Sequence, residues 1–293
     1  MRFFGTCFLC LWTIAVAGAE PAVKVTELSA NVLLLATSSG NVVASVGADG
    51  ALLIGTPSAA STSEISSLLA EKTKSPVRYV VVWPEDLEHS QGDAGWDKIG
   101  AFVAMQEKAL ERLGGHAMGP ARPVPAPLLK LGVDRPRVAF SEVLTFDVNG
   151  DAIHIVHQKP GYSDGDAIAH FHRDNLIYLG EVFPGDGYPR IDAAQGAKLD
   201  GLLKALASWS GGSFRIIPVY GKVASGADLK NFADMITAVR DKVQHAVDAH
   251  QTESEIITQH PTAEFDAQWG HGRVSPELFV REIYAAVTQK QTP

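Results

Sequence analysis

The feature that most constrains the fold is a run of short Val- and Leu-rich segments separated by Ser, Gly and Asn turns. Four such segments follow one another at residues 23–28, 31–36, 42–46 and 51–54. Segments of this length and composition, bounded by turn residues, are typical of β-strands, so we expect an N-terminal β-meander. The pair Ser61 and Glu64 has the spacing of a capping box and predicts a helix that runs to about Lys74.

The second half of the chain repeats this order of strands followed by helices. Strand-like segments lie at residues 144–148, 152–157, 167–172 and 175–179. Asn149-Gly150 predicts a tight hairpin between the first two of them. Apolar residues then recur at helical spacing in a helix near 199–206, a long helix capped by Ser225 and a last helix at 276–289. Two β-rich halves, each followed by helices, predict an α+β fold with two sheets packed face to face and helices outside.

The N-terminus has the three parts of a secretory signal peptide. Arg2 supplies the only charge, residues 3–17 form an apolar run, and Ala17-Gly18-Ala19 offers a cleavage site of small residues. We therefore expect a signal peptide at residues 1–19, one domain at residues 20–293, and a periplasmic or secreted protein. The alternative is a membrane anchor, but the apolar run is shorter than the roughly 20 residues of a spanning helix. No membrane span is expected after cleavage.

Cysteine usage and charge restrict the classes of partner. Both cysteines, Cys7 and Cys10, lie within the expected signal peptide, so the mature chain would contain no thiolate for zinc or for a disulfide. The formal net charge of -8 becomes one unit more negative when Arg2 is removed. Such an acidic chain is not expected to bind nucleic acid, because the phosphates would be repelled. A small neutral or cationic partner fits the charge better.

Five phrases of the sequence resemble framework motifs of the metallo-β-lactamase superfamily. In chain order they are Ala51-Leu-Leu-Ile-Gly55, the segment 74–80, Pro160-Gly-Tyr-Ser-Asp-Gly-Asp166, Tyr178-Leu-Gly-Glu-Val-Phe183 and Ile217-Pro-Val-Tyr-Gly221. Their order and spacing are similar to those of the family over about residues 23–247. The resemblance implies a four-layer αββα sandwich with a metal site along one edge, at the loops between strands.

The resemblance also implies where zinc ligands should lie, and most of these positions are substituted. The His-x-His-x-Asp-His motif of the family corresponds here to Pro84, Asp86, Glu88 and His89, and the later ligand positions to Tyr162, Glu181 and Tyr220. One position is unchanged, two carry a carboxylate one methylene longer, and four have lost imidazole. Proline has no donor atom and a phenol titrates near pH 10, so an ordinary dizinc centre is not expected. The acidic residue that supports the site in the family corresponds to Gly55.

Two hypotheses for this cleft stay open. In the first, the tyrosine hydroxyls hydrogen-bond the carboxylates and close the space, since buried polar groups are normally paired, and no cofactor binds. In the second, Asp86, Glu88, His89 and Glu181 bind one noncanonical metal ion. Crowded carboxylates repel one another unless a cation neutralises them, and an oxygen-rich site suits Ca²⁺, Mn²⁺ or Fe³⁺ better than Zn²⁺.

A few residues outside these motifs are further candidates. His170 and His172 are two apart on a strand and share a face, so they form a candidate metal pair. They match no ligand of the family, however, and a partly exposed strand face is the favoured interpretation. Trp83 and Trp96 are expected in the core or at the rim of the cleft. The run 269–272 is expected in a surface loop.

The favoured interpretation is a pseudoenzyme, a periplasmic binding or accessory protein that keeps the cleft but lacks the zinc hydrolase. Its partner would be a small molecule in the vestigial cleft or a periplasmic protein. The alternative is a metal-dependent hydrolase of an ester, lactone or amide-like substrate that uses an oxygen-rich metal site. An ordinary zinc hydrolase would require a different alignment of the loop at residues 84–89 with the family motif.

Overall fold

The first sheet contains seven strands whose spatial order follows the chain. The computed structural model describes residues 23–55, 59–74, 76–83, 96, 100–112, 138–158, 160–191 and 193–288. The strands are β1 Lys24–Glu27, β2 Val32–Thr37, β3 Gly40–Gly47, β4 Gly50–Ile54, β5 Val77–Val82, β6 Phe102–Gln106 and β7 Val138–Phe140. Strands β1 to β4 are antiparallel, which confirms the predicted meander to within two residues, and β4 to β7 run parallel.

The second sheet contains six strands in the order β13-β12-β11-β10-β9-β8. They are β8 Val143–Val148, β9 Asp151–His157, β10 Ala167–Phe171, β11 Leu176–Tyr178, β12 Arg215–Ile217 and β13 Ala224–Ser225. Neighbouring strands are antiparallel except β11 and β12, which are parallel. The predicted hairpin is confirmed, because Asn149 and Gly150 both have the positive φ, 54° and 74°, that a type I′ turn requires.

Seven α-helices and two short 3₁₀ helices occur in the described part of the chain. They are α1 Ala59–Thr73, α2 Glu107–Arg112, α3 Leu199–Ser210, α4 Gly226–Asp248, α5 Glu253–Thr258, α6 Asp266–Trp269, α7 Pro276–Thr288, η1 Gly180–Val182 and η2 Ala193–Gln195. The predicted cap of α4 is confirmed, since the Ser225 hydroxyl accepts a hydrogen bond from the Asp228 backbone N–H. No helix among the described residues is long and apolar enough to cross a membrane.

The capping box predicted for α1 is wrong. The helix begins at Ala59, so Ser61 lies inside its first turn instead of preceding it. The Glu64 carboxylate accepts a hydrogen bond from the backbone N–H of Val23, 3.0 Å away. Glu64 therefore ties Val23, just before β1, to α1, a long-range role that local spacing does not reveal.

Three apolar layers separate the helices and sheets. Residues such as Ile54 and Ile155 fill the space between the two sheets. Leu69 of α1 packs on the outer face of the first sheet, and Phe232 of α4 and Phe279 of α7 pack on the outer face of the second. Helix, sheet, sheet and helix thus follow one another, and the predicted four-layer αββα sandwich is confirmed.

Candidate functional site

Several strand ends meet at one edge of the sandwich. In the first sheet the parallel strands β4 and β5 end at Ile54 and Val82. In the second sheet β11 and β12 end at Tyr178 and Ile217, beside the start of the antiparallel strand β10 at Ala167. Loops that leave these ends carry the residues predicted for the site. We call this region the cleft edge and define it by Gly55, Trp83, Tyr162, Glu181 and Tyr220.

Asn41 joins the two sheets at the cleft edge. Its backbone N–H donates to Val219 O at 2.6 Å, and its side-chain amide donates to Pro218 O at 2.9 Å and to Gly221 O at 3.1 Å. In return the hydroxyl of Tyr178 donates to Asn41 O at 2.9 Å. Asn41 is buried, so these bonds satisfy polar groups that water does not reach and hold both sheet ends in one position.

Trp83 fixes the point at which the altered ligand loop leaves β5. Its indole N–H donates to Ala167 O at 2.6 Å, and its ring meets Tyr178 edge-on with centroids 5.5 Å apart. A Cβ atom built on Gly180 would lie 3.4 Å from the same indole. Trp83 is therefore buried against the second sheet, beside Gly180, which confirms that it belongs to the core.

A buried carboxylate shapes the loop that carries Tyr162. Asp166 accepts hydrogen bonds from the backbone N–H groups of Gly161, Tyr162 and Ser163 at 2.7 to 2.9 Å, and from the Ser163 hydroxyl at 2.7 Å. Burial raises the pKa of the Asp166 carboxyl, and these hydrogen bonds oppose the shift. Tyr162 itself is buried. The phenol is thus presented from a loop whose backbone has little freedom.

Glu181 lies on the one-turn helix η1, which follows β11 directly. Gly180 begins this turn with a φ of +54°, a backbone conformation that residues with a Cβ atom rarely adopt. The turn is closed by a hydrogen bond from Phe183 N–H to Gly180 O at 3.2 Å. Val182 is buried, whereas Glu181 is half-buried. Glu181 is therefore partly exposed while its neighbours are held in the core.

Tyr220 is hydrogen-bonded to the segment that follows Glu181, and the cationic side chain of Arg273 lies over its ring. Its backbone N–H donates to Pro184 O at 2.8 Å, and its hydroxyl oxygen is buried. The Arg273 guanidinium lies 4.5 Å from the Tyr220 ring centroid, within the range of a cation–π contact. The position that the resemblance assigns to the last histidine is therefore occupied by a phenol ring, and the Arg273 guanidinium packs against that ring.

Comparison with known proteins finds similarity in structure alone. No protein-family model and no curated protein matches the sequence. The structure is similar to a metallo-β-lactamase from Pontibacter korlensis, with a TM-score of 0.59, 14% identity, and coverage of 72% of this chain and 99% of that chain. A metallo-β-lactamase from Hirschia baltica gives 0.57 and 17%, and covers 73% and 97%. The chain has the metallo-β-lactamase fold.

A third similar structure of the metallo-β-lactamase fold type extends further along the chain. The inverting sec-alkylsulfatase Pisa1 from Pseudomonas sp. gives a TM-score of 0.67 at 16% identity, covering 90% of this chain and 50% of that chain. The match to the alkylsulfatase therefore includes more of this chain than either lactamase match does.

Three of the seven positions that correspond to metallo-β-lactamase ligands are described, and all three lie at the cleft edge: Tyr162, Glu181 and Tyr220. Pro84, Asp86, Glu88 and His89 lie outside the described residues, so their approach to the same edge stays a prediction. The described positions lie on three different loops of the second sheet, and their role as a site stays a prediction.

Gly55 occupies the position that the resemblance assigns to the family's acidic residue. Its φ is +117°, and a Cβ atom there would lie 3.0 Å from Asn41 O and 3.3 Å from the Tyr178 hydroxyl. A carboxylate side chain therefore does not fit without displacing the hydrogen bond between Tyr178 and Asn41. The space next to the cleft is filled by a neutral hydroxyl.

The described residues do not fit the dizinc group of the fold family. Two phenols and a glycine replace two imidazoles and a carboxylate, and a neutral phenol is a poor ligand for zinc. Across the described ranges, no group of three or more His, Cys, Asp or Glu side chains is arranged to hold a metal ion. We therefore derive no catalytic step through zinc.

Arg273 and its loop were missed by sequence reasoning. The run 269–272 was expected in a surface loop, and His271 is exposed in a turn, but Trp269 is buried against Phe232 with ring centroids 5.1 Å apart. Next to it, Gly272 touches the backbone of Gly187, where an added Cβ would lie 2.6 Å from Gly272 Cα. This close approach brings Arg273 to the cleft edge. The contact joins Gly187 to Gly272, which are far apart in the chain, so no local pattern in the sequence indicates it.

Proposed function

We propose that this chain is a periplasmic binding or accessory protein that uses the cleft of the metallo-β-lactamase fold without an ordinary dizinc hydrolase. The observation that carries the proposal is the position of Tyr162, Glu181 and Tyr220 at the cleft edge, on the loops where the family carries its metal ligands. Tyr162 is buried in a loop fixed by Asp166, and Tyr220 lies under Arg273. These phenols are part of the packing, which favours a closed polar network over a vacated metal site.

The exterior of this cleft favours a small molecule with a polar or charged group. Arg273 supplies a guanidinium at the edge, and Asp186, in the adjacent segment, supplies a carboxylate whose pKa is raised by burial and lowered in part by Arg273. A small ligand with a charged or polar end matches these two groups.

A second candidate is a hydrolase that uses a noncanonical metal ion held by Asp86, Glu88, His89 and Glu181. Its substrate would be an ester, a lactone or an amide-like compound, and the fold match to an alkylsulfatase adds a sulfate ester as a substrate class to test. Arg273 could then meet the anionic group of the substrate. Glu181 is the described residue on which the two candidates differ.

Metal content and activity test the first candidate. The untagged protein is recovered from the periplasmic fraction, its N-terminus is sequenced, and bound metals are measured by elemental analysis. We expect the chain to begin at Glu20, to carry well under about one equivalent of zinc, and to hydrolyse no β-lactam. Stoichiometric zinc together with hydrolysis that a chelator abolishes would contradict the proposal.

The substitution Glu181→Gln separates the two candidates by the sign of its effect on stability. If no ion binds, the change removes one charge from a crowded group of carboxylates, and the free energy of unfolding should stay level or rise. If an ion binds, the change removes a ligand, and the protein should lose stability together with its metal. The matched control is Glu71→Gln on the exposed side of α1, and both variants are compared with wild type by denaturant titration and elemental analysis.

A further inference from the structure

Three histidines gather on the outer face of the second sheet, away from the cleft edge. Ile153 and Ile155 of β9 point into the space between the sheets, so His154 points to the opposite face. His170 of β10 lies directly opposite His154 in the strand register, and His172 follows two residues later. Because β10 starts at the cleft edge with Ala167, these residues lie at its other end.

The imidazole rings of this cluster are in contact. His172 Nε2 lies 3.1 Å from His154 Nδ1, and the two ring centroids are 4.4 Å apart. The ring of His170 is 4.0 Å from that of His172. His172 is exposed and the other two are half-buried, so solvent and small ions reach the pair from outside.

His170 is packed as an aromatic residue beneath the pair. Its ring meets Phe214 edge-on at 5.5 Å and Trp209 at 5.9 Å. These contacts hold His170 within the aromatic packing, and His172 is the exposed ring of the cluster.

We propose that His154 and His172 form a two-imidazole binding site for a divalent transition metal ion, with Cu²⁺ preferred. Two nitrogens 3.1 Å apart, each about 2.0–2.1 Å from one ion, subtend an angle of roughly 100°, which suits neighbouring ligands in tetragonal or tetrahedral coordination. Imidazole nitrogens suit Cu, Ni and Zn, and Cu²⁺ is bound most tightly in this series. Water completes the coordination on the exposed side.

The shared hydrogen bond does not block this site. In the neutral pair one of the two facing nitrogens carries a proton, and that proton can move to the other nitrogen of its own ring. Both lone pairs then face the ion, and no net proton loss is needed. The site uses two protein ligands, which agrees with the finding that no larger group of ligands converges within the described residues.

Copper titration of the full mature chain tests this site. Cu²⁺ is added in a buffer that does not bind copper, and binding is followed by calorimetry and by the electron paramagnetic resonance of Cu²⁺. We expect one equivalent to bind with hyperfine coupling to two imidazole nitrogens. His154→Ala and His172→Ala should each weaken the affinity at least about tenfold, because each removes half of the ligand set.

Two further variants keep the assignment falsifiable. His260→Ala changes an exposed histidine outside the cluster, and His170→Phe keeps an aromatic ring between Phe214 and Trp209; both should bind Cu²⁺ within about threefold of wild type. The proposal is overturned if His154→Ala and His172→Ala bind copper like wild type. It is equally overturned if His260→Ala or His170→Phe loses as much affinity as they do. Glu181→Gln should leave copper binding unchanged, which separates this site from the cleft.

Discussion

At Gly55, packing by neighbouring residues takes the place of the acidic side chain that the resemblance assigns to this position. The residue ends the hydrogen-bonded run of β4, with its N–H donating to Val81 O at 3.0 Å. Its φ of +117° is one that a residue with Cβ adopts only under strain. Tyr178 and Asn41 occupy the remaining space, so backbone conformation and neighbours both select glycine.

Gly55→Ala is expected to lower the free energy of unfolding by about 2–3 kcal/mol, because it combines a strained φ with a Cβ contact at 3.0 Å from Asn41 O. Gly221→Ala is the matched control, since Gly221 has a φ of +81° but nothing within 4 Å of the added Cβ. It should cost only the backbone strain, about 1 kcal/mol. Denaturant titration measures both. Equal losses would show that crowding at Gly55 is unimportant.

The loop between β9 and β10 is ordered by one side chain. Asp166 gathers three successive backbone N–H groups and one hydroxyl, so the loop that presents Tyr162 is closed on a buried acceptor. Gln158 N–H also donates to Asp166 O at 2.8 Å, which joins both ends of the loop. The element is therefore rigid without a helix or strand of its own.

Asp166→Asn should destabilise the protein by about 3 kcal/mol, because an amide N–H₂ replaces an acceptor and leaves buried N–H donors unpaired. Asp147→Asn, at an exposed position of β8, should change stability by less than about 0.5 kcal/mol. Thermal and denaturant unfolding of the two variants give the comparison. An Asp166→Asn protein as stable as the control would mean that the loop does not depend on this carboxylate.

At the scale of the whole molecule, the C-terminal helices share a core with the second sheet. Phe279 of α7 stacks on Tyr188 with ring centroids 4.7 Å apart, and the Tyr188 hydroxyl donates to Asp266 at 2.7 Å. Glu282 accepts from the backbone N–H of Ile191 at 2.6 Å. The same apolar cluster reaches Ile168 of β10. The chain beyond α4 therefore stabilises residues 188–191 and the second sheet beside them.

Phe279→Ala should lower the stability of the entire chain by about 3–5 kcal/mol, because it leaves a cavity in the shared core. Leu278→Ala, at a half-buried neighbouring position, should cost clearly less. Unfolding followed by tryptophan fluorescence and by circular dichroism should remain one coincident transition. A separate early transition for Phe279→Ala, with the main one unmoved, would show that the C-terminal helices fold as their own unit.

Local patterns were sufficient to predict many elements of this protein. The meander β1–β4, the hairpin at Asn149-Gly150 and the Ser225 cap of α4 each depend on residues close together in the chain, whose backbone preferences are visible in the sequence. The resemblance assigned Tyr162, Glu181 and Tyr220 to the site, and the fold places their loops at strand ends that share one edge. That these residues form a binding site stays a prediction.

Tertiary structure alone decided the contacts between residues distant in the chain. Glu64 was expected in a capping box but bonds Val23, and Arg273 reaches Tyr220 only because two glycine backbones meet. His154 joins His172 because the strand register places β9 beside β10. Backbone preferences act over a few residues, whereas these contacts depend on how whole layers pack, so the sequence determined the elements and the packing of the sheets determined which side chains meet.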